Sequence, residues 1–297
     1  MYSIVSIIVT YNGEKWIKKC LDSLLASSIH TDIYLIDNGS TDNTLKIVEK
    51  YPTVNFIINN CNAGFGKANN ILLKKLYKEY KYSHYFLINQ DAWVDKYCLH
   101  YLIEFAIKNP KYGILSPMHY NHEFSEMDFN FQEYLAKSKK NSNDIFETDF
   151  VNAAFWLINK TCLEKIGIFN PYFTHYGEDK NYCNRVIHSR LKIGIVTSAK
   201  ANHDRNKTTN ITKIQRLSKI KLDCIILNPK NNLVKAYFKA FINIWGIPKY
   251  YYYHKVLSLK NSILLFYKLL IHYINLVFSK KIRMNRKQQN DNVFSIN

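Results

Sequence analysis

The first half of the chain alternates short β-branched runs with longer stretches whose apolar residues recur at helical spacing. Residues 3–9 (SIVSIIV) read as a buried strand, and residues 14–26 follow with Trp16, Cys20, Leu21, Leu24 and Leu25 in a helical pattern. Residues 32–36 (DIYLI) form a second predicted strand, a helix covers about 41–51, and 54–58 is a third strand. A helix over 68–80, a strand over 84–88 (HYFLI) and a helix over 93–107 complete the series. Each parallel crossover needs a helix to return the chain. The alternation therefore predicts an α/β fold with a mainly parallel sheet covered by helices on both faces.

In such sheets ligands bind beyond the carboxyl ends of the strands, and those ends are polar here. Thr10-Tyr11-Asn12 follows the first strand and Asp37-Asn38-Gly39-Ser40-Thr41-Asp42 the second. A run from Asn59 to Asn70 that includes Asn62, Gly64, Phe65 and Gly66 follows the third, and Asn89-Gln90-Asp91 the fourth. Asn, Asp and Gly also build turns and cap helices, so one such loop says little. Four in succession point to a ligand site.

Composition narrows the classes. At 297 residues and 47% hydrophobic, the chain can bury one large core or two modest ones, which excludes disorder and disulfide-stapled scaffolds. Its six cysteines contain no C-x-x-C pair, and no charged start with an apolar core precedes the first strand, so a reduced, cytoplasmic compartment is expected. The net charge of +18 is unevenly placed. Through Ala199 there are 22 Lys and Arg against 20 Asp and Glu; from Lys200 onward there are 19 against 3. A near-neutral body with a basic, aromatic tail suggests two jobs, the tail addressing an anionic surface.

Within that tail, residues 262–278 (SILLFYKLLIHYINLVF) are short for a membrane span and contain Lys268 and His272, both disfavoured at a bilayer centre. Lys268, His272, Asn275 and Ser279 make one polar stripe on an otherwise apolar helix. Beside Lys280-Lys281-Ile282-Arg283 and the YYYYHK cluster at 250–255, this predicts a helix lying on an anionic membrane surface, peripheral to the inner face of the cell membrane. A helix packed on the catalytic domain or in a homodimer is the alternative. The polar stretch from Asn285 is expected to fray.

The motifs SIIVTYN, LIDNGSTDNT, NAGFGKANN, LINQD and HYGEDKNYCNR, in that order over roughly residues 3–205, closely resemble family 2 glycosyltransferases of the GT-A fold, most of all their rhamnosyltransferase-like branch. The resemblance implies a Rossmann-like GT-A domain over about 1–210, divided into a nucleotide-sugar-binding half (about 1–117) and an acceptor half (about 118–210), followed by a basic helical region over 211–297. It also implies a nucleotide-diphospho-sugar donor, a divalent metal (Mn2+ or Mg2+) and inversion at the anomeric carbon. A dTDP- or UDP-sugar, with rhamnose as one sugar, and a glycan or polyprenyl-linked acceptor in bacterial surface polysaccharide synthesis fit that picture.

The resemblance carries over residue by residue. Asn89-Gln90-Asp91 stands where the family has a D-x-D-like motif, and Asp91 is the natural ligand for a hard cation that neutralises a departing diphosphate. Asn89 removes one negative charge from that motif. His203 resembles the family's third metal or diphosphate contact. Asp37 is expected to meet the nucleobase, with Thr10, Tyr11 and Asn12 lining the other side of base and ribose. Asn62, Gly64, Phe65, Gly66 and Asn70 resemble the donor-contacting loop. The same G-x-G is half of a dinucleotide fingerprint, but Asn69 occupies its third glycine position, which argues against a dehydrogenase.

Inverting transfer needs a base to take the acceptor hydroxyl's proton. The resemblance assigns it to Asp179, with Glu178 as neighbour or second candidate; many family members carry Asp where this chain has Asn181. Residues 150–158 (FVNAAFWLI) resemble the acceptor-pocket lining, with Asn152 and Trp156 as candidates and Arg185 as a further one. Two other classes explain parts of the sequence. A metal-dependent nucleotidyltransferase shares the sheet and metal but not the Glu178-Asp179 pair. A nucleic-acid binder accounts for the tail charge but not the neutral body, so no nucleic-acid partner is expected.

Overall fold

The computed structural model describes residues 2–121, 124–142, 144–204 and 210–290, together with Phe294 and Ile296. Arg205, at the end of the resemblance, lies outside the described residues. Strands β1 (Ile4–Thr10), β2 (Asp32–Asp37), β3 (Val54–Ile58) and β4 (His84–Asn89) alternate with helices α1 (Ile17–Leu25), α2 (Thr44–Val48) and α3 (Phe65–Lys78). Next come β5 (Ala92–Val94), α4 (Cys98–Lys108), β6 (Tyr112–Asn121), β7 (Glu126–Met127), α5 (Phe129–Ala136), β8 (Lys139–Ser142) and β9 (Ile145–Glu147). The second half continues with β10 (Phe155–Asn159), α6 (Lys160–Ile166), α7 (Glu178–His188) and β11 (Lys192–His203). Helices α8 (Ile211–Ile226), α9 (Leu233–Tyr253), α10 (Leu259–Phe278) and α11 (Lys280–Asn290) follow.

The strands form one sheet in the order β3-β2-β1-β4-β10-β6-β11-β9-β8, with β5 added to β11 and β7 to β6. From β3 to β4 the pairing is parallel, as the helix alternation predicts. Beyond β4 the sheet is mixed, because β10 runs antiparallel to both β4 and β6. An antiparallel neighbour needs no crossover, so the excursion through β7 to β9 can return the chain into β10 from the edge at which β6 leaves. β1 shows why both faces are covered: Val5 and Ile7 enter one apolar core and Ile4 and Ile8 the other.

Two sequence expectations fail here. The helix predicted from Trp93 begins only at Cys98, because Ala92–Val94 forms a buried strand paired with Ala201–His203. Asp95 then starts the helix: its carboxylate accepts from Tyr97 N at 3.0 Å and its carbonyl from Cys98 N at 3.0 Å. The C-terminus does not fray at Asn285. α11 continues to Asn290, Arg286 donates to the Ile226 and Asn231 carbonyls, and Gln289 Oε1 accepts from Asn181 Nδ2 at 2.8 Å. Phe294 and Ile296 lie in the first core, where the Phe294 carbonyl accepts from Ile168 N at 2.9 Å. A third core joins α8, α9 and α10 to Phe173, so the tail helices pack onto the chain just ahead of α7.

Candidate active site

β1 lies between β2 and β4, so the direction of winding reverses at the carboxyl ends of β1 and β4, the place where an open α/β sheet leaves a crevice. The loops there are tied together by their own side chains. Tyr11 N donates to Gln90 Oε1 at 2.9 Å and Gln90 Nε2 donates to the Tyr11 carbonyl at 3.1 Å, joining the ends of β1 and β4. Asn12, at φ +49°, accepts from Thr41 N at 2.8 Å and donates its own N–H to Ser40 Oγ at 2.9 Å. Gln90 and Asn12 thus shape the crevice, and the ring of Tyr11 stands exposed beside them.

Asp37 is fully buried and receives four donors: Thr10 Oγ1 at 2.9 Å, Ser40 Oγ at 2.5 Å, and the N–H groups of Gly39 and Ser40 at 3.0 and 2.9 Å. Two carboxylate oxygens have about four acceptor sites in all, so this carboxylate is satisfied within the chain. It builds the turn at 38–41, with Gly39 at φ +82°, rather than presenting a free oxygen to a base.

At the end of β4, Asp91 Oδ1 lies 3.2 Å from His203 Nε2, which also lies 3.4 Å from Asn89 Nδ2. The pairing of β5 with β11 creates this meeting across 112 residues of sequence, because it sets His203 opposite Ala92. Asp204 N then donates to the Asp91 carbonyl at 2.9 Å, and Trp16 Nε1 donates to Asp204 Oδ2 at 2.7 Å. Among the described residues no group of three His, Cys, Asp or Glu side chains could hold a metal by itself. A carboxylate and an imidazole this close fit a divalent cation that accepts mixed oxygen and nitrogen donors, such as Mn2+, and takes its remaining ligands from phosphate and water.

The glycine loop meets the second-half carboxylates. A Cβ at Gly64, which has φ +85°, would lie 1.8 Å from the Thr174 carbonyl oxygen. A Cβ at Gly66 would lie 3.3 Å from Glu178 Cβ and from Phe169 Cβ. Asn62 supports the loop by accepting from Gly64 N at 3.0 Å, and Phe65 stacks edge-on against Phe169. Only glycine fits at Gly64 against Thr174, and a methyl at Gly66 would need Glu178 or Phe169 to give way by a few tenths of an ångström. Glu178 and Asp179 occupy the first turn of that helix, whose positive end favours negative charge.

The two carboxylates differ. Glu178 is 5% exposed, and its Oε2 has no partner among the described residues. Burial, and then the charge of Asp179, pushes its carboxyl from 4.5 up to about 7. Asp179 is half-buried and keeps access to solvent. The fold therefore favours protonated Glu178, a contribution complete below about pH 4.5 and lost as pH rises through about 7. Glu178→Gln should match the wild type at pH 4.5 and exceed it above pH 7, by on the order of 3 kcal/mol at most. Thermal melts at the two pH values check this; a variant less stable than wild type at both would contradict a buried, protonated Glu178.

Three candidates prove structural. Trp156 is 0% exposed, stacked on Phe169 and donating to the Val151 carbonyl at 3.2 Å, so it has no face to offer a sugar. Arg185 is buried with its guanidinium on the Ile166 and Ile168 carbonyls, each at 2.7 Å, and on Asn181 Oδ1 at 3.2 Å. Asn70 exchanges two hydrogen bonds with the Phe169 backbone, at 2.8 and 2.9 Å. Asn181 donates to the Leu227 carbonyl and to Gln289, two bonds that a carboxylate could not make. Asn152 is half-buried, and its Oδ1 has no partner among the described residues.

Sequence reasoning misses the tail's share of the site. A cleft of about 600 Å³ lies between residues 172–176 and the tail helices, with Arg216, Lys219 and Lys281 in its lining. Arg216 sits over the Tyr176 ring at 5.5 Å and Lys281 over Tyr172 at 5.1 Å. Three cations, Arg216, Lys219 and Lys281, against one carboxylate, Asp223, make this lining electropositive; burial, then Arg216 and Lys213, lower the pKa of His175. Lys281 belongs to the basic cluster at 280–283, but no local signal in the sequence places it, Arg216 or Lys219 in a cleft beside residues 172–176. They become part of the site only because α8 packs against Gly177, where a Cβ would lie 2.7 Å from Ile220 Cγ2.

Comparison with known proteins gives the same picture. The sequence profile of glycosyl transferase family 2 matches residues 6–167 of the 297. Poly-beta-1,6-N-acetyl-D-glucosamine synthase of Staphylococcus aureus is 30% identical over 115 residues, 38% of this chain and 27% of that protein. The poly(ribitol-phosphate) beta-N-acetylglucosaminyltransferase TarS of the same species is 32% identical over 97 residues, 30% of this chain and 16% of that protein. The match thus spans 27% of the length of the first of these curated relatives and 16% of the second. Among solved structures, S. aureus TarS in complex with UDP aligns at a TM-score of 0.59 and 16% identity, covering 99% of this chain and 90% of that one. The mannosyltransferase PcManGT from Pyrobaculum calidifontis, in complex with GDP-Man and Mn2+, aligns at 0.62 and 16% identity, covering 99% and 86%. These structural likenesses establish the GT-A fold. With the profile spanning more than half of its length, the chain belongs to glycosyl transferase family 2.

Proposed function

We propose that the protein transfers a sugar from a nucleotide-diphospho-sugar to a hydroxyl of a glycan or polyprenyl-linked acceptor, with inversion, in the assembly of a cell-surface polysaccharide. The observation that carries this reading is the contact between the glycine loop and Glu178, which joins a nucleotide-binding edge to a pair of carboxylates. The donor's base lies against the exposed Tyr11 and its diphosphate near Asp91 and His203. Asp179 takes the proton of the acceptor hydroxyl as that oxygen bonds to the anomeric carbon. The bond from that carbon to the diphosphate breaks with its electron pair leaving on the nucleoside diphosphate. Asp91 and His203 would hold a divalent cation, which supplies charge neutralisation to the departing diphosphate. The electropositive cleft beside His175 and Tyr176 receives the acceptor, a location that suits one bearing phosphate.

TarS has been seen with UDP and with UDP-GlcNAc, and the curated relatives are named a poly-beta-1,6-N-acetyl-D-glucosamine synthase and a beta-N-acetylglucosaminyltransferase. Those names favour a UDP-sugar over a dTDP-sugar and N-acetylglucosamine over rhamnose. A thermal-shift panel of nucleoside diphosphates and nucleotide-sugars, each with and without Mn2+ or Mg2+, tests the reading, since binding to the folded state raises the melting temperature. A metal-dependent rise is expected with at least one uridine ligand. Asp91→Ala should abolish most of the metal-dependent part, because it removes the carboxylate of the pair. An unchanged metal dependence in that variant would contradict the assignment.

A further inference from the structure

Two members of the α10 polar stripe, Lys268 and His272, face inward onto α8, while Asn275 is exposed. Lys268 Nζ donates to Gln215 Oε1 at 2.6 Å, and His272 Nε2 lies 2.8 Å from Asp223 Oδ1, both partners on α8. Leu265, Leu269 and Leu276 are buried on the same side. The other side is apolar and exposed: Ile263, Tyr267, Ile271, Ile274 and Phe278 recur at three- and four-residue spacing, with Phe278 75% exposed. α9 repeats the arrangement. Ala236, Ala240, Ile244 and Ile247 face inward, whereas Val234, Phe238, Phe241 and Trp245 stand exposed, Val234 at 80%.

The two outward stripes lie side by side. Tyr237 OH donates to the Leu276 carbonyl at 3.3 Å, the rings of Phe241 and Tyr273 are 5.9 Å apart, and those of Trp245 and Phe266 are 4.2 Å apart. The helices therefore run antiparallel and present one broad apolar face, far beyond the scattered exposed apolar residues of ordinary surfaces. The same helices carry exposed cations, Lys235 and Lys249 on α9 and Lys260 on α10, and the next helix, α11, carries Lys280, Arg283 and Lys287. Between Asn210 and Asn290 the sequence has one acidic residue, Asp223, and it is turned inward to His272.

From this charge pattern we infer that the α9–α10 face docks on an anionic lipid bilayer, lying in the headgroup region with its apolar stripes toward the acyl chains. Lipid with negative headgroups satisfies both features at once, the apolar stripes and the exposed cations. A second copy of the chain would bring one set of uncompensated cations against another. α10 is long and apolar enough to cross a membrane by length and composition. Spanning would break the contacts of Lys268 and His272 with α8. Ser279 and Lys281, at the end of this face, also line the cleft beside His175, so docking sets that cleft next to the membrane surface.

Docking is read without turnover, so its failure and that of the transferase reading are separable. Full-length protein is sedimented with vesicles of phosphatidylcholine, and of phosphatidylcholine with phosphatidylglycerol, at low and high salt. Binding is expected to the anionic vesicles and to weaken as salt screens the charges. Ile271→Glu and Phe278→Glu, both at exposed sites, should each weaken it about ten-fold, and Lys280→Glu should reduce its salt dependence. Thermal melts equal to wild type confirm that the variants are folded. Equal vesicle binding by wild type and Ile271→Glu would overturn the inference. So would bound protein that resists alkaline extraction, which means a spanning helix, or a wild-type dimer that Phe278→Glu dissociates.

Discussion

Asp179→Asn is expected to lower turnover by about 10²-fold or more, with nucleotide-sugar affinity changed by less than about two-fold. The substitution keeps the shape of the side chain and removes its ability to accept a proton. Asp179 is the half-buried member of the pair and can meet an arriving hydroxyl, whereas Glu178 is enclosed beneath Gly66. Steady-state turnover and donor binding, measured on the same preparation, check the split. Should Glu178→Gln lose more turnover than Asp179→Asn, the base is Glu178.

Arg185→Ala is expected to destabilise the fold by on the order of 4 kcal/mol, a large fraction of the stability of an ordinary domain. The guanidinium caps the end of α6, where the Ile166 carbonyl has no helical partner, and also holds the Ile168 carbonyl. Removing it leaves three buried acceptors, the two carbonyls and Asn181 Oδ1, without this donor and opens a void beside Tyr182 and Phe294, over whose rings it lies at 4.9 and 5.4 Å. Burial lowers its pKa to about 10, which still leaves it charged at neutral pH. Arg185→Lys should recover only part of the loss, since one ammonium cannot span both carbonyls. Denaturant unfolding measures both variants. Wild-type stability in Arg185→Ala would contradict the structural role and reopen an acceptor role.

What is legible in the sequence follows from locality. A short, continuous apolar run followed at once by polar turn residues places those residues at a strand's carboxyl end, so the pattern alone sets Thr10, Asp37, Asn89 and Asp91 on one edge of the sheet. The Asp91 and His203 pair comes from resemblance, since the pairing of β5 with β11 that joins them has no local signature. Trp156 misleads because an aromatic residue in an apolar strand looks alike whether its face meets solvent or a helix; here it meets Phe169 and Tyr182. Arg185 misleads because its use, satisfying carbonyls 17 and 19 residues earlier, exists only after α6 and α7 pack. The polar stripe of α10 is visible as a stripe, but its direction depends on Gln215 and Asp223 of α8.

Those same tail contacts change what truncation would do. Removal of the chain beyond Asn261 would delete Phe294 and Ile296 from the first core and α10 from the third, so the tail cannot be cut away as a separate anchor. Point substitutions on its exposed face are the appropriate probes.

The most direct test of inverting glycosyl transfer is the fate of the donor. Full-length protein is incubated with UDP-GlcNAc and a panel of other UDP-, dTDP- and GDP-sugars, with Mn2+ or Mg2+, and the products are followed by NMR. Release of a nucleoside diphosphate is expected, with the first-formed sugar product carrying the anomeric configuration opposite to the donor's. Retention of that configuration, or conversion of the nucleotide-sugar with added pyrophosphate to a nucleoside triphosphate and a sugar 1-phosphate, would contradict it.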